Sequence, residues 1–384
     1  MPEVQPPSEP TRVWFMRTAL DTIGGAERVI SQVMLGLPRL EFEPIGVWLY
    51  GSGGYGEMLQ KSGIRTYQGL GRARWDVRIG IRLFRLARQH PPDVLLTTEN
   101  ALACFWAGML KRLRLTKALV IAFHITRMER RSYRIAVRFS APVADCLVAL
   151  TPAHRDYWQQ FTGAPQERFV IIPNGVDTDH FTPAEDKQAL RAALGLPPDA
   201  CIVGLVAYFK PVKNLPLFVE VASRLVQSQS GFHFVLVGDG PEREHIEQEI
   251  RARRLETHFT LPGACDDPRV WHQAFDILLL TSHSEALPVA ILEANSCGVP
   301  AVATRVGGVP DVLLHGETGF VAPPDDADAL TQFVALLARD ETKRRAMGAA
   351  ARQWVEQNFS HHVMVARYAQ LFRSLHGKSK GDMV

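Results

Sequence analysis

The sequence predicts an α/β protein of two doubly wound, Rossmann-like domains facing across a cleft, and three observations lead there. Short apolar runs alternate with helix-periodic segments along the chain. The runs are apolar throughout, as in parallel strands covered by helices on both faces. The alternation also starts afresh at Ile202, after the polar, proline-bearing stretch 177–198. With 384 residues there is length for two or three ordinary cores. The expected division is a disordered tail over 1–11, a first domain over 12–180 and a second over 181–358. A helix within 359–384 would cross back to the first domain and end in a polar tail.

Composition narrows the function classes. The five cysteines, Cys104, Cys146, Cys201, Cys265 and Cys297, form no C-x-x-C pair, which fits a reducing compartment and argues against a disulfide scaffold or zinc site. The first residues are polar and proline-rich, unlike a signal peptide, and no run is long and apolar enough to span a membrane. A cytoplasmic protein is expected, soluble or held at a membrane face. Net charge is +3 but uneven: residues 51–150 hold 17 Lys and Arg against 6 Asp and Glu, whereas residues 181–384 hold 20 against 24. The first half therefore suits an anionic partner or surface.

In the first half, the strand around Val13–Met16 leads into Asp21-Thr22-Ile23-Gly24-Gly25-Ala26-Glu27-Arg28 and a helix over Val29–Leu37. A glycine pair at such a junction lets backbone approach a ligand, or simply makes a tight turn. It is not the G-x-G-x-x-G dinucleotide fingerprint. Phe42–Leu49 reads as a strand and Gly51–Gly56 as a flexible loop. The helix over Trp75–Gln89 carries Arg74, Arg78, Arg82, Arg85 and Arg88 on one face, and Arg127, Arg130, Arg131, Arg134 and Arg138 mark a second basic helix. Such faces can lie on an anionic membrane or be ordinary solvated surface. Strands follow at Asp93–Thr98, Leu119–Phe123, Cys146–Thr151 and Phe169–Ile172. His124 stands just past the end of one of them, where α/β sheets bind ligands and where structural histidines also occur.

The second half repeats the pattern. Ile202–Val206 is a strand, and Lys210 and Lys213 lie in the loop before a helix from Leu215, a placement that suits a phosphate. Phe275–Leu280 reads as a buried central strand. After it come Glu285 in a loop, Pro288 at the first helical position, Glu293 about a turn and a half into the helix, and the stop Gly298-Val299-Pro300. An anion would be attracted to the helix N-terminus near Ala286 and Leu287, between the two carboxylates. A capping glutamate followed by a solvated one has the same spacing, so spacing alone leaves both readings open. Asp266-Asp267 has no further metal ligands around it and reads as a surface loop.

Glu285 and Glu293 form the E-x7-E pattern, and the chain resembles the retaining glycosyltransferases of the family-4 type, which have the GT-B fold. The resemblance extends to Gly24-Gly25-Ala26-Glu27-Arg28, Pro173-Asn174-Gly175-Val176-Asp177, Val237-Gly238-Asp239-Gly240-Pro241, Ala301-Val302-Ala303-Thr304 with Gly307-Gly308, and Gly316-Glu317-Thr318-Gly319-Phe320. It runs in order over about residues 12–376 and closes on Phe359-Ser360, Tyr368 and Leu371-Phe372. It implies a nucleotide-sugar donor held by the second domain and a glycan or lipid-linked acceptor held by the first, with no metal and no other cofactor. It further implies that Glu293 binds ribose and Glu285 the transferred sugar. Ala286, Leu287, Lys210 and Lys213 would hold the diphosphate, Gly24 and Gly25 would close on it, and His124 would contact the donor sugar. Two positions depart from the family: Tyr208 stands where an arginine is usual, with Lys210 as a shifted substitute, and Ala286 where glycine is usual. A sugar-nucleotide epimerase or hydrolase of the same fold, or a non-catalytic relative that binds glycan or nucleotide, would share these motifs. Nucleic-acid binding is not expected, since the arginines lack an aromatic platform or a helix-turn-helix pattern.

Overall fold

The computed structural model describes residues 9–20, 25–72, 76, 78–126 and 130–377. The chain forms two compact units, one comprising residues up to Gly175 and from His361 onward, the other Val176–Ser360. The two crossings are neighbours: the Val176 N–H donates to the Phe359 carbonyl at 2.8 Å, and Val176 pairs with Ser360 in an isolated bridge. The turn residues Asn174-Gly175 thus end the first unit, a few residues before the expected boundary.

The first unit runs β1 (Thr11–Arg17), α1 (Gly25–Gly36), β2 (Phe42–Trp48), α2 (Gly53–Lys61), β3 (Arg65–Tyr67), α3 (Arg78–Gln89), β4 (Val94–Thr98), α4 (Ala101–Arg112), β5 (Ala118–Ala122), α5 (Arg131–Ser140), β6 (Cys146–Ala149), α6 (Pro152–Thr162) and β7 (Phe169–Ile171). All strands are parallel, in the order β3-β2-β1-β4-β5-β6-β7. Because successive strand residues face opposite sides, β1 divides its side chains between two cores. Trp14 and Met16 join Leu83, Cys104, Ala107 and Val137 on one face, while Val13 and Phe15 join Val29, Val33 and Met34 on the other. Helix caps follow the sequence: the Asn100 side chain accepts from the Ala103 N–H to start α4, and Thr151 accepts from His154 to start α6.

One sequence expectation is corrected here. Gly51–Gly56 is not a loop throughout, because α2 already begins at Gly53. Leu59, buried completely against Phe42 and Trp48 in the second core, outweighs the poor helix propensity of three glycines in the first turn.

The second unit begins with α7 (Lys187–Ala193) and continues β8 (Cys201–Val206), α8 (Leu215–Ser228), β9 (Phe232–Val237), α9 (Arg243–Ala252), β10 (Phe259–Gly263), α10 (Arg269–Ala274), β11 (Ile277–Leu280), α11 (Val289–Ser296), β12 (Ala301–Thr304), α12 (Val309–Val312), β13 (Gly319–Ala322), α13 (Ala327–Arg339) and α14 (Glu341–Asn358). Its parallel sheet has the order β10-β9-β8-β11-β12-β13. The last helix, α15 (His361–His376), belongs to the first unit. Met364, Tyr368 and Phe372, four residues apart, bury one stripe of it in the core beside α1. Phe372 meets Phe15 and Phe42 edge-on at 6.2 and 6.1 Å, contacts that contribute about 1 kcal/mol each beyond simple burial. Among the described residues no helix is long and apolar enough to cross a membrane.

Each sheet reverses its strand order once, between β1 and β4 in the first unit and between β8 and β11 in the second. Loops leaving the carboxyl ends of such a pair splay apart, and ligands of open α/β sheets bind there.

Candidate functional site

At the reversal in the second unit, the loops after β8 and β11 are laced together. Lys213 closes a 3₁₀ turn over Pro211–Lys213, and Thr281 Oγ1 donates to the carbonyls of Lys213 and Asn214 at 3.1 and 3.0 Å. The His283 N–H donates to the Val212 carbonyl at 2.8 Å. This lacing delivers Lys213 Nζ to Glu285 Oε1 at 2.7 Å, and Ser282 Oγ donates to the same oxygen at 2.7 Å. Glu285 is only 8% exposed, yet its Oε2 accepts no hydrogen bond among the described residues. A third strap comes from the loop after β12. There the Gly308 N–H donates to the Glu285 carbonyl at 3.0 Å, and Gly307, at φ +48°, passes so close that a Cβ would lie 1.8 Å from that carbonyl oxygen.

Ala286 and Leu287 lie buried between this carboxylate and α11. Pro288 is the residue just before the helix, one position earlier than expected; its carbonyl accepts from the Ile291 N–H, so its missing N–H is as harmless there. The helix ends as the sequence indicates: Gly298 at φ +73° and Val299 return their N–H groups to Asn295 and Ala294. Glu293 is the fifth residue of α11, 7% exposed, with Oε2 3.3 Å from His272 Nε2.

The two lysines of the β8 loop diverge. Lys213 is held on Glu285, whereas Lys210 is exposed, with Nζ 5.1 Å from the centroid of the Tyr208 ring. An exposed cation–π contact of this kind contributes roughly 0.5–1 kcal/mol. The two lysines expected to hold a diphosphate are thus a half-buried cation on Glu285 and a cation on the surface.

At the reversal in the first unit a second polar cluster is built. Arg17, at the end of β1, is 9% exposed and lies between Glu27 of α1 (Nη2 to Oε1, 2.5 Å) and Thr98 at the end of β4 (Nη1 to Oγ1, 3.2 Å). Glu99 follows β4, buried, and its Oε2 accepts the His124 N–H at 3.2 Å. Burial pushes the Glu99 carboxyl up from 4.5 to about 7, against the pull of Arg17 and the His124 N–H and with the help of Glu27. Burial also brings the His124 imidazole down from 6.5 to about 3; the Arg17 charge and the neighbouring His154 ring add to this, and the Asn174 side chain opposes it. At neutral pH the histidine is a neutral ring beside a carboxyl group that keeps its proton to well above the usual carboxylate range. Gly25 opens α1 in the same unit, while Gly24, Arg74 and Arg127 lie outside the described residues.

Arg17, Glu99, Ser282 and His272 were not singled out by sequence reasoning, and Gly307 entered only as part of a family motif. Glu99 carried a usable signal, since it follows its strand just as His124 follows β5. His272 and Arg17 carried none, because each is defined by a partner distant in sequence.

The two halves of the chain match two family models in register with the two units. Residues 23–180 match the model described as Glycosyltransferase Family 4, and residues 186–354 the one described as Glycosyl transferases group 1. The chain belongs to the family-4 type of glycosyltransferase. Among curated relatives of the chain, the N-acetyl-alpha-D-glucosaminyl L-malate synthase of Bacillus anthracis is 30% identical over 62% of the chain and 61% of its own length. The GDP-mannose-dependent alpha-(1-6)-phosphatidylinositol monomannoside mannosyltransferase of Mycolicibacterium smegmatis is 30% identical over 62% and 64%. The chain thus spans less than two thirds of the length of these relatives. Among solved structures, Anabaena Alr3699/HepE in complex with UDP superposes with a TM-score of 0.81 at 20% identity, covering 95% of this chain and all of that one. A glycosyltransferase from Rickettsia africae gives 0.83 at 19%, covering 97% and all of it. These likenesses establish the GT-B fold.

The buried acid of the first unit has a consequence for pH dependence. Between pH 4.5 and 7 the folded chain retains a proton on Glu99 that the unfolded chain has lost, so stability falls as pH rises through that window. The loss above pH 7 is about 3 kcal/mol. His124 acts oppositely, costing stability as pH falls from 6.5 toward 3, and masks the effect in the unsubstituted protein. Glu99→Gln stays neutral throughout. Its stability relative to the unsubstituted protein should improve by about 3 kcal/mol between pH 4 and pH 8 in urea titrations. A difference that does not change with pH would show that Glu99 is ionised in the fold.

Proposed function

We propose that this protein is a retaining glycosyltransferase that moves a sugar from a nucleotide-sugar donor to a glycan or lipid-linked acceptor in cell-surface polysaccharide or glycolipid synthesis. The observation that carries this reading is the Glu285 loop. A buried carboxylate is held through one oxygen by Lys213 and Ser282, keeps its other oxygen free of hydrogen bonds among the described residues, and precedes a helix bearing the buried Glu293. That is the arrangement needed to grip a sugar hydroxyl and a ribose on either side of a diphosphate. HepE has been solved with UDP and with UDP-glucose, and the mycolicibacterial relative acts on a phosphatidylinositol monomannoside, which support the donor and acceptor classes.

In this reading Glu285 Oε2 accepts from hydroxyls of the transferred sugar and Glu293 from the ribose. The diphosphate sits at the backbone of Ala286 and Leu287, with Lys213 and, from outside, Lys210 meeting the charge that grows on it. The family resemblance assigns further donor contacts to Gly24, Gly25 and the neutral His124. The acceptor hydroxyl attacks the anomeric carbon on the face the diphosphate leaves, the carbon–oxygen bond to phosphate breaks, and the hydroxyl proton passes to the departing phosphate oxygen. Configuration is thereby retained, and fixed cations supply the charge stabilisation that this proposal does not assign to a metal.

The acceptor side would meet an anionic membrane, on the cytoplasmic face in this reading. Helix α3 exposes Arg78, Arg82 and Arg85 with Ile81, and α5 exposes Arg131, Arg134 and Arg138 with Ile135; both isoleucines are about three-fifths exposed. Basic residues next to exposed apolar ones suit a headgroup layer, where each contributes about 1 kcal/mol. Sedimentation with phosphatidylserine vesicles at low salt should bring the protein down, and high salt should release it.

The central test incubates the protein with a panel of nucleotide sugars and follows nucleoside diphosphate release with and without membrane-derived acceptor. Acceptor-dependent release with one donor is expected. Failure to bind any nucleotide sugar would refute the reading, and turnover without acceptor would point to an epimerase or hydrolase.

A further inference from the structure

His272 has no role so far, yet its environment is unusual. It lies on α10, fully buried, with its ring set edge-on against Phe181 at 6.1 Å and Phe275 at 5.8 Å. Neither ring nitrogen makes an aligned hydrogen bond among the described residues, although Nε2 lies 3.3 Å from Glu293 Oε2. Burying an imidazole without partners costs free energy that a purely apolar residue would avoid. Two aromatic edges hold the ring, so its Nε2 is aimed at Glu293 by packing and not by chance rotation.

We propose that His272 is a positioning residue for Glu293: its Nε2–H engages Oε2 and turns Oε1 toward the ribose hydroxyls of the donor. This inference rests on the reading of Glu293 given above. In the neutral imidazole, a proton on Nε2 makes that nitrogen a donor, and the carboxylate can only accept. One oxygen held from behind leaves the other with a fixed direction, which is what discrimination between a ribose and a deoxyribose requires. The 3.3 Å gap closes by a small rotation of the carboxylate as ligand hydroxyls donate to Oε1. Phe181 and Phe275, which flank the ring, are apolar, so neither competes for Nε2.

The test measures dissociation constants by calorimetry for the best-bound ribonucleoside diphosphate and for its 2′,3′-dideoxy counterpart. The unsubstituted protein should prefer the ribose form by at least 10-fold. His272→Phe, which keeps an aromatic ring but removes the donor, should reduce that preference about 10-fold while leaving dideoxy affinity unchanged. His272→Gln, whose amide reaches about as far as Nε2, should restore it, and His272→Asn, which is too short, should not. A merely structural histidine would alter both affinities together or neither. If His272→Phe folds and keeps the full ribose preference, the inference fails. If it does not fold, the Gln and Asn variants decide, and equal preference in both overturns the proposal. Failure of the underlying reading looks different: the unsubstituted protein would bind without ribose preference, or Glu293→Gln would retain it.

Discussion

Glu285→Gln should lower sugar transfer by about 10²–10³-fold while leaving nucleoside diphosphate affinity within a few-fold of the unsubstituted protein. Oε1 of this carboxylate takes hydrogen bonds from both Lys213 Nζ and Ser282 Oγ. An amide has a single oxygen to offer. If that oxygen stays with Lys213 and Ser282, the group turned toward the sugar becomes an N–H donor; if it turns outward, the NH₂ faces an ammonium. Either way a transition-state contact is lost, whereas the ribose contact assigned to Glu293 is unaffected. Lys213 also loses its counter-charge. Its side chain is about a quarter exposed, so solvent screening reduces the cost from that of a fully buried pair to about 1–2 kcal/mol. Steady-state rates beside calorimetric binding decide the matter. Transfer at the unsubstituted rate would remove Glu285 from the chemistry.

Replacing Gly307 with alanine should destabilise the second unit by about 2–4 kcal/mol and depress transfer as well. Two separate costs add. The left-handed backbone at φ +48° disfavours any side chain by about 1–2 kcal/mol. The new methyl would also stand 1.8 Å from the Glu285 carbonyl oxygen and 2.9 Å from its carbon, both of them backbone atoms with little room to yield. Relief therefore moves the Glu285 loop, and if that loop holds the sugar as proposed, a shift of about 1 Å in a reacting group can cost about 100-fold in rate. Gly316→Ala is the control. It has φ +85° with open space around the site, so it should show the backbone cost alone. If urea denaturation finds the two variants equally stable, close packing against Glu285 is not what selects glycine at 307.

Much of this protein is legible in the sequence because its strands are buried on both faces. A fully apolar run such as Ile277–Leu280 admits few other readings, and polar residues just beyond it stand out against it. Asn100, Thr151 and Asp326 mark helix starts for an equally local reason, their side chains bonding the next free N–H groups. The same locality explains the one misreading. Three glycines signal a loop when counted alone, but α2 begins among them because Leu59 is drawn into a core the sequence does not display. Two lysines in one loop look alike in the sequence, and only lacing to the neighbouring loop takes Lys213 to a carboxylate 72 residues away while Lys210 stays on the surface.

By itself, then, the sequence determined the two-fold repetition of the α/β pattern, the positions of Glu285 and Glu293 around a helix start, and the placement of His124 beyond a strand. These follow from periodicity and from the local chemistry of caps and turns. Only the tertiary structure decided which groups oppose them: Lys213 and Ser282 on Glu285, His272 behind Glu293, and Glu99 with Arg17 beside His124. The reversal of strand order brings together loops far apart in the chain, and burial then sets the charge state of what they carry. Neither strand order nor burial is written in any local stretch of residues.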